Sequence, residues 1–476
     1  MRRSTLVLVA LLPTGLAAQD AREGVLASIE AKHRRYAGLA QQIWEWAEVG
    51  YQETKSSALL QQELRGAGFH IGAGVAGMPT AFIASHGGGR PVIGILAEFD
   101  ALPGITQDAV PERKPLPDKA AGHACGHHLF GTGSTAAAIA VKEWMVQNRA
   151  SGTIRLYGTP AEEGGAGKVY MVREGLFKDV DVVLHWHAGD RNDASAGSSL
   201  ANKSAKFRFR GVSTHAAGAP ERGRSALDGV EAMNNMVNLM REHVPEDTRI
   251  HYVITSGGSA PNVIPDFAEA FYYVRHPDPK EVLRIFDWVV RASEGAALGT
   301  QTSVSHEVIH GVYALLPNDR LARTMDANLR KVGGVRYTAE EQAFAETLRK
   351  SFGPEAPALS SAAEVSAFEV KEPSGSTDVA DVSWVAPTTG LRTATWVPGT
   401  PGHSWQAIAA GGTSIGAKGM IVAAKTLALT AVDLITTPAL VAEAREEYQK
   451  RVGASFSYVS LVGDRPPPLD YRTKPQ

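Results

Sequence analysis

Short apolar runs alternate with helical patterns through the first half of the chain, and this alternation constrains the fold most strongly. Three of the runs lie within "PVIGILAEFDALPG", "TIRLYGTPAEEGG" and "VDVVLHWHAGD". Apolar strands separated by helices predict an α/β catalytic domain whose mostly parallel sheet is flanked by helices. Ligands of such open sheets bind outside the carboxyl ends of the strands, so polar residues at those ends are candidate site residues.

The three predicted strands deliver carboxylates and histidines at that edge. Asp100 follows the first strand, Glu162 and Glu163 follow the second, and His185 and His187 lie in the third. Because side chains alternate along a strand, the two histidines share one face, and the pattern leaves open whether one or both bind a metal. Adjacent carboxylates at a strand end can divide the work, one binding a metal while the other accepts a proton from water.

The segment "GHACGHH" at residues 122–128 contains three histidines and the single cysteine of the chain. Cys125 and His127 are close enough for both side chains to face one ion, and thiolate and imidazole are good ligands for zinc and similar metals. Two other interpretations remain: a buried thiol among packing histidines, or a nucleophilic cysteine with a histidine as its base. His403, in the turn "VPGTPGHSW", would mean little by itself.

A second pattern begins near Lys206 and ends near Pro317. Strand-like and helical runs follow one another in the order βαββαβ, which is typical of a ferredoxin-like unit. The first pattern then resumes, so the second unit is predicted to be an insertion into the first. The predicted boundaries are 22–205 for the first part of the catalytic domain, 206–317 for the inserted dimerisation or lid domain, 318–445 for the second part of the catalytic domain and 446–476 for a C-terminal extension.

The N-terminal residues have the features of an export signal. Arg2 and Arg3 precede an apolar run that is too short to span a bilayer, and small residues follow at Ala17 and Ala18. We therefore expect residues 1–18 to be a cleaved signal peptide and the mature protein to be periplasmic or secreted, without a membrane anchor. The formal net charge of −2 gives no field that would attract nucleic acid or an anionic membrane, and it favours a small-molecule partner.

Eight motifs together resemble one family, the amidohydrolase branch of metallopeptidase family twenty, which includes hippurate and indole-acetyl-amino-acid hydrolases. In order they are "LAEFDALPG", "GHACGHHLFGTG", "TPAEEGGAGK", "HWHAGD", "GVSTHAAGAP", "APNVIP", "GSTDVADVSW" and "PGHSW". Two positions depart from the pattern: His128 stands where many relatives have aspartate, and Glu98 stands where the peptidase branch has histidine. The second departure favours the amidohydrolase branch, while the roles of His128 and His185 stay open.

The resemblance implies a centre of two divalent metal ions, with zinc expected and manganese or cobalt as alternatives. It implies that Glu162 is the general base and later the acid, and that Asp100 orients a ligand. It also implies that His215 of "STHAAG" stabilises an oxyanion from the partner subunit. The implied metal ligands are Cys125, which bridges the ions, His127, Glu163, His187 and His403. The groups implied to hold a substrate carboxylate are Asn262 and Arg275.

The activity that the resemblance implies is hydrolysis of N-acyl or N-aroyl amino acids of the aminobenzoyl-glutamate type by a metal-activated water. The alternative within the same family is a di- or oligopeptidase, either an aminopeptidase or a carboxypeptidase. A homodimer through the inserted domain is expected, and the need for a second, different subunit stays open. A non-catalytic metal-binding protein is disfavoured because both Glu162 and Glu163 are present.

Overall fold

The computed structural model describes residues 14–373 and 375–473. Most of the predicted signal peptide, residues 1–18, lies outside the described residues. The helices are α1 Thr14–Ala31, α2 His33–Trp46, α3 Thr54–Gly66, α4 His127–Asn148, α5 Gly167–Arg173, α6 Ala226–Met240, α7 Pro279–Thr300, α8 Asp319–Val332, α9 Ala339–Arg349, α10 Val379–Ser383, α11 Trp405–Gly411, α12 Ser414–Thr436 and α13 Pro438–Val452. The strands are β1 His70–Ala73, β2 Phe82–Gly88, β3 Val92–Ala97, β4 Leu102–Pro103, β5 Ala121–Gly122, β6 Gly152–Gly158, β7 Val182–Gly189, β8 Ala201–Arg210, β9 Arg249–Ser256, β10 Phe267–His276, β11 Ser303–Val312 and β12 Thr388–Ala394.

The main sheet has the strand order β1-β2-β6-β3-β7-β12. The strands β6, β3, β7 and β12 are parallel, and β2 and β1 add an antiparallel edge. Every residue of β3 is buried, as expected for a strand covered on both faces. The predicted α/β fold with a mostly parallel sheet is therefore confirmed.

The long apolar helix α12 is the central core helix of this domain. Among the described residues it is the one helix long and apolar enough to cross a membrane, but 89% of its most apolar stretch is buried inside the protein. It packs against α4 and against β12 of the sheet. Its apolar composition is therefore explained by burial in the core.

The inserted unit forms a separate antiparallel sheet with the order β11-β8-β10-β9, and α6 and α7 pack against it. Met233 and Val237 of α6 are fully buried, so the methionine stripe serves packing. The chain then returns to the main sheet, where β12 pairs with β7. The domain boundaries stay predictions, although β8 begins at Ala201, before the predicted start at residue 206, and α13 runs across the predicted boundary at residue 445.

Candidate metal centre

The predicted ligands come from separate parts of the chain and meet at the carboxyl edge of the main sheet. Cys125 lies in the turn before α4, Glu163 follows β6, and His187 lies in β7. His403 lies in the loop after β12. Because β6, β3, β7 and β12 are neighbours in the sheet, residues that are distant in sequence come together at their ends.

One donor set combines a sulfur with two imidazoles. The Sγ atom of Cys125 lies 3.3 Å from Nε2 of His187, and His127 belongs to the same group, whose ligand atoms all lie within 4.8 Å of one another. The turn fits closely because Gly126 adopts a φ of 77° and packs against Ala188, where a Cβ atom would collide. One thiolate and two imidazoles can therefore reach a single cation.

A second donor set shares the same sulfur. Cys125, Glu163 and His403 form a group within 4.8 Å, and Nε2 of His403 lies 3.4 Å from Oε1 of Glu163. His403 adopts a left-handed φ of 57°, and its backbone N–H donates to the carbonyl of Ala124 at 3.0 Å. That bond ties the histidine loop to the turn that carries Cys125. Because the sulfur belongs to both sets, the arrangement suits two neighbouring cations.

Buried polar atoms without hydrogen-bond partners mark the interior of this centre. Among the described residues, Nε2 of His127 and Oε1 of Glu163 are buried and make no hydrogen bond. Such atoms cost free energy unless a ligand satisfies them. A mixture of sulfur, nitrogen and carboxylate donors suits zinc and similar transition metals better than calcium or magnesium, which prefer oxygen alone. The residues present therefore fit divalent metal ions.

Asp100 lies behind the donor sets and contacts two of the predicted ligands. Nδ1 of His127 lies 2.9 Å from Oδ1 of Asp100, and the backbone N–H of Glu163 donates to Oδ2 at 2.9 Å. A carboxylate that accepts from Nδ1 fixes the tautomer of a histidine and leaves Nε2 free to bind a metal. The geometry agrees with the orienting role expected for Asp100.

The electrostatics of the centre disfavour negative charge unless a cation is near. Burial raises the pKa of the Cys125 thiol, the charge of His127 opposes this effect, and the carboxylates of Glu163 and Glu162 add to it. A thiolate at this position therefore requires a neighbouring cation. Burial, together with the charges of Glu98 and Glu163, also raises the pKa of Glu162 well above its usual value. A carboxyl with a raised pKa is suited to accept a proton and return it.

A buried ion network that the sequence did not reveal lies beside Glu162. Nζ of Lys168 lies 2.7 Å from Oε1 of Glu98 and 2.6 Å from Oδ1 of Asp378, and none of the three side chains is more than 1% exposed. Oε2 of Glu98 lies 3.1 Å from Nε2 of His127 without forming an aligned hydrogen bond. The Lys168 ammonium thus offsets part of the acidic charge there. The available signal was a lysine within the apolar run "GKVYMV", which does not show what the lysine contacts.

The two histidines whose roles the sequence left open lie outside both donor sets. Nε2 of His128 lies 3.0 Å from the carbonyl oxygen of Gly411, and the ring of His123 lies beside it at a centroid distance of 4.8 Å. The ring of His185 lies against Gly390 of the neighbouring strand. Burial lowers the pKa of both His128 and His185 to about 3, so both rings are neutral. We interpret them as packing residues.

His215 and Asn262 do not join the metal-ligand groups within the described chain. His215 is exposed, and its Nδ1 accepts from the backbone N–H groups of Ala217 and Gly218 at 3.2 and 3.0 Å. Nε2 is therefore the nitrogen that carries the proton and can donate. A strand bridge to Val263 holds His215 beside Asn262, which is also exposed. Both residues lie on the inserted domain.

Arg275, on β10, lies where the two domains meet. Its Nη1 donates to Oγ of Ser376 at 3.4 Å, and its guanidinium lies 5.5 Å from the centroid of the Tyr273 ring. Its Nε is buried without a hydrogen-bond partner. Because Ser376 belongs to the second part of the catalytic domain, Arg275 bridges the inserted and catalytic domains and keeps a free donor.

Comparisons with known proteins agree with this geometry. Residues 94–383 match the description "Peptidase family M20/M25/M40". The chain is 40% identical to one of the two kinds of subunit of the p-aminobenzoyl-glutamate hydrolase of Escherichia coli K12, with 89% of this chain and 94% of that protein covered. It is 29% identical to the Xaa-Arg dipeptidase of Mus musculus, with 88% and 90% covered. A dinuclear metal binding peptidase from the M20 family of Bacillus subtilis shares the fold, with a TM-score of 0.56, 18% identity, and 86% of this chain and 99% of that chain covered.

Proposed function

The chain belongs to peptidase family M20/M25/M40, and from this premise we propose that it is a metal-dependent amidohydrolase of N-acyl or N-aroyl amino acids. The observation that carries the proposal is the Cys125 sulfur, which two donor sets share beside Glu162. The similarity to the p-aminobenzoyl-glutamate hydrolase of Escherichia coli supports a substrate in which an aroyl group is joined to an amino acid.

The catalytic domain holds the metals and moves the proton. Bound divalent metal ions supply Lewis-acid chemistry, which polarises the substrate carbonyl and makes water a better nucleophile. Glu162 takes a proton from the attacking water as the water oxygen adds to the carbonyl carbon. When the C–N bond breaks, Glu162 returns that proton to the leaving nitrogen. The residues proposed to hold the metals are Cys125, His127, Glu163, His187 and His403.

The inserted domain acts on the substrate. The Nε2–H group of His215 is proposed to stabilise the oxygen that gains negative charge. Asn262 and Arg275 are proposed to hold the carboxylate of the amino acid, a task that suits the planar fork of arginine. The exposure of His215 in one chain supports a homodimer in which each subunit supplies this histidine to its partner. The outer strand β9 exposes Val253, an apolar surface that a second copy would cover.

Metal identity, location and subunit composition extend the proposal. We propose zinc as the native metal because a thiolate is among the donors, with manganese or cobalt as alternatives. We propose that the protein is exported after cleavage near Ala18, which the N-terminal sequence of the mature protein tests. The Escherichia coli relative is named as one subunit of a hydrolase that has another, which supports testing whether a second, different subunit is purified together with this chain.

A dipeptidase is the second candidate function. The similarity to an Xaa-Arg dipeptidase extends over most of both chains, which favours a peptide ending in arginine as the alternative substrate. Both activities use the same metal centre and the same proton transfer. They differ in whether the group before the scissile bond carries a free amino group.

The decisive experiment removes the metal and then compares substrates. Purified protein is treated with a chelator, loaded with zinc, manganese or cobalt, and assayed with an N-aroyl-glutamate and with a free-amino dipeptide ending in arginine. We expect activity to disappear with the chelator, to return with metal, and to favour the N-aroyl substrate. Full activity after verified metal removal would contradict the proposal and favour a cysteine hydrolase. Preference for the dipeptide would favour the second candidate.

A further inference from the structure

The C-terminal segment, defined as residues 453–473, contacts both domains although it contains no helix or strand. Leu461 is 2% exposed, so the segment contributes to the core. Arg465 donates to the carbonyl of Val308 in β11 of the inserted domain. Arg173, in α5 of the catalytic domain, donates to the carbonyl of Arg465 at 2.7 Å. The segment is therefore anchored along its length.

Its last described residues fit a cradle formed near the start of the chain. Nε2 of Gln52 donates to the carbonyl of Leu469 at 2.8 Å. The rings of Tyr51 and Tyr471 meet edge to face with 5.7 Å between their centroids. Gly50 lies where a Cβ atom would collide with the Tyr471 hydroxyl, so the cradle accepts no side chain there. These contacts fix the position of Tyr471.

Two side chains from this segment converge on one backbone carbonyl, that of Glu163. Oη of Tyr471 donates to it at 3.0 Å, and Nη2 of Arg472 donates to it at 2.5 Å. At the other end of the same residue, the backbone N–H donates to Asp100. Glu163 is thus held from both sides, and the donors on its carbonyl lie beyond residue 383, where the family match ends.

We propose that Tyr471 and Arg472 are positioning residues that act through the Glu163 carbonyl to place Glu162 and Glu163 in the metal centre. The inference rests on the function proposed above for those two carboxylates. A hydrogen bond from a guanidinium is stronger than a neutral one, and two donors restrict the peptide more than one does.

The loop that carries the two glutamates needs this outside support. Ala161 and Ala166 adopt left-handed φ values of 57°, a conformation that residues with a side chain rarely adopt. Elsewhere the loop is held by Glu53, which accepts from the N–H of Ala161 at 2.8 Å, and by Tyr51, which donates to Gly165 at 2.7 Å. Without Tyr471 and Arg472 the carbonyl at its middle would lose its donors.

The test uses the full-length chain with three variants and one control. Tyr471→Phe removes only the hydroxyl donor, Arg472→Ala removes the guanidinium, and the double variant removes both. Arg472→Lys keeps a charged donor and should restore most of the lost function. The matched control is Arg241→Ala, because Arg241 also donates to a backbone carbonyl, that of Ile250 at 2.7 Å, but lies in the inserted domain.

The first readout is zinc affinity, measured with a competing chelator and no substrate. We expect the double variant to bind zinc about 10–100-fold more weakly, the loss typical when a residue that supports a ligand is removed. The second readout is kinetic: we expect kcat to fall by about the same factor while KM changes little, because the substrate contacts are untouched. The control should match the wild type in both.

Two outcomes separate this inference from its competitor, a purely structural cover. A folded double variant with wild-type zinc affinity and kcat, whether or not its melting temperature falls, would overturn the inference. If the wild type hydrolyses no N-acyl amino acid, the proposed function fails. The zinc measurement still decides whether the segment positions the ligand loop, since it needs no substrate.

Discussion

The two halves of the proposed site differ in how much of their geometry a single chain provides. In the catalytic domain, His127 and Asp100 are at most 1% exposed and contact each other at 2.9 Å. In the inserted domain, His215 and Asn262 are exposed and join no metal-ligand group within the described chain. The metal half is therefore organised by the folded core, whereas the substrate half is completed only when something approaches it.

This difference follows from where each half lies in the fold. The metal half uses the ends of neighbouring parallel strands, which packing of the sheet holds together. The substrate half uses loops at the surface of a separate sheet, where few contacts fix side chains. Changes in the two halves should therefore have different signatures, in metal content for one and in assembly for the other.

The largest expected effect comes from Glu162→Gln, which removes the proton acceptor. We expect kcat to fall by about 10²–10⁴-fold, the range typical of general acid–base catalysis, while the metal content is unchanged. Steady-state kinetics and elemental analysis of the same preparation provide the measurement. Activity near that of the wild type would remove Glu162 from the mechanism.

His215→Ala should lower kcat by about 10²–10³-fold, the loss typical when one oxyanion donor is removed. If the histidine acts across subunits, mixing this variant with Glu162→Gln should recover part of the activity, since mixed dimers contain one intact site. Each variant remixed with itself serves as the control. Failure of mixed, verified dimers to regain activity would show that His215 does not act from the partner.

Asp100→Asn tests how strongly the buried half depends on its supporting contacts. The amide keeps the size of the carboxylate but is a weaker acceptor for Nδ1 of His127. We expect zinc affinity to fall about 10–100-fold, as measured by competition with a chelator. Unchanged affinity would show that the contact at 2.9 Å does not support the ligand.

The smallest effect on activity should come from His128→Phe, although it lies next to a ligand. The variant leaves the Gly411 carbonyl without its partner, so we expect a loss of about 1–3 kcal/mol in unfolding free energy with metal content unchanged. Burial lowers the folded pKa of His128 to about 3 from the usual 6.5. The unfolded chain therefore binds a proton that the folded one does not, and stability falls as pH drops from 6.5 toward 3.

Unfolding of wild type and His128→Phe at several pH values measures this effect. We expect the variant to lose stability less steeply between pH 6.5 and pH 3, because it lacks that proton uptake. A variant that loses metal instead would show that His128 belongs to the centre after all.

The fold and the ligand cluster could be predicted because they depend on local patterns. Apolar runs mark the strands, and the strand-end rule gathers Asp100, Glu163 and His187 without knowledge of any contact. The order βαββαβ of the inserted unit follows from alternation and helical spacing in the same way, and the structure agrees. In these regions local sequence and global fold specify the same arrangement.

The missed residues have contacts that no local pattern encodes. Lys168 meets Asp378, and Arg472 meets Glu163, in each case across hundreds of residues of sequence. The C-terminal segment has no periodicity, so the sequence indicated an irregular extension and not its contact with the glutamate loop. Such pairs are set by the packing of complete domains, and only the folded chain shows them.

The central claim is that the Cys125 sulfur binds divalent metal in the buried half of the site. X-ray absorption spectroscopy of the zinc-loaded protein tests it most directly, with Cys125→Ala as the comparison. We predict a sulfur neighbour about 2.3 Å from zinc in the wild type and its absence in the variant. A zinc-loaded wild type with only nitrogen and oxygen neighbours would contradict the claim.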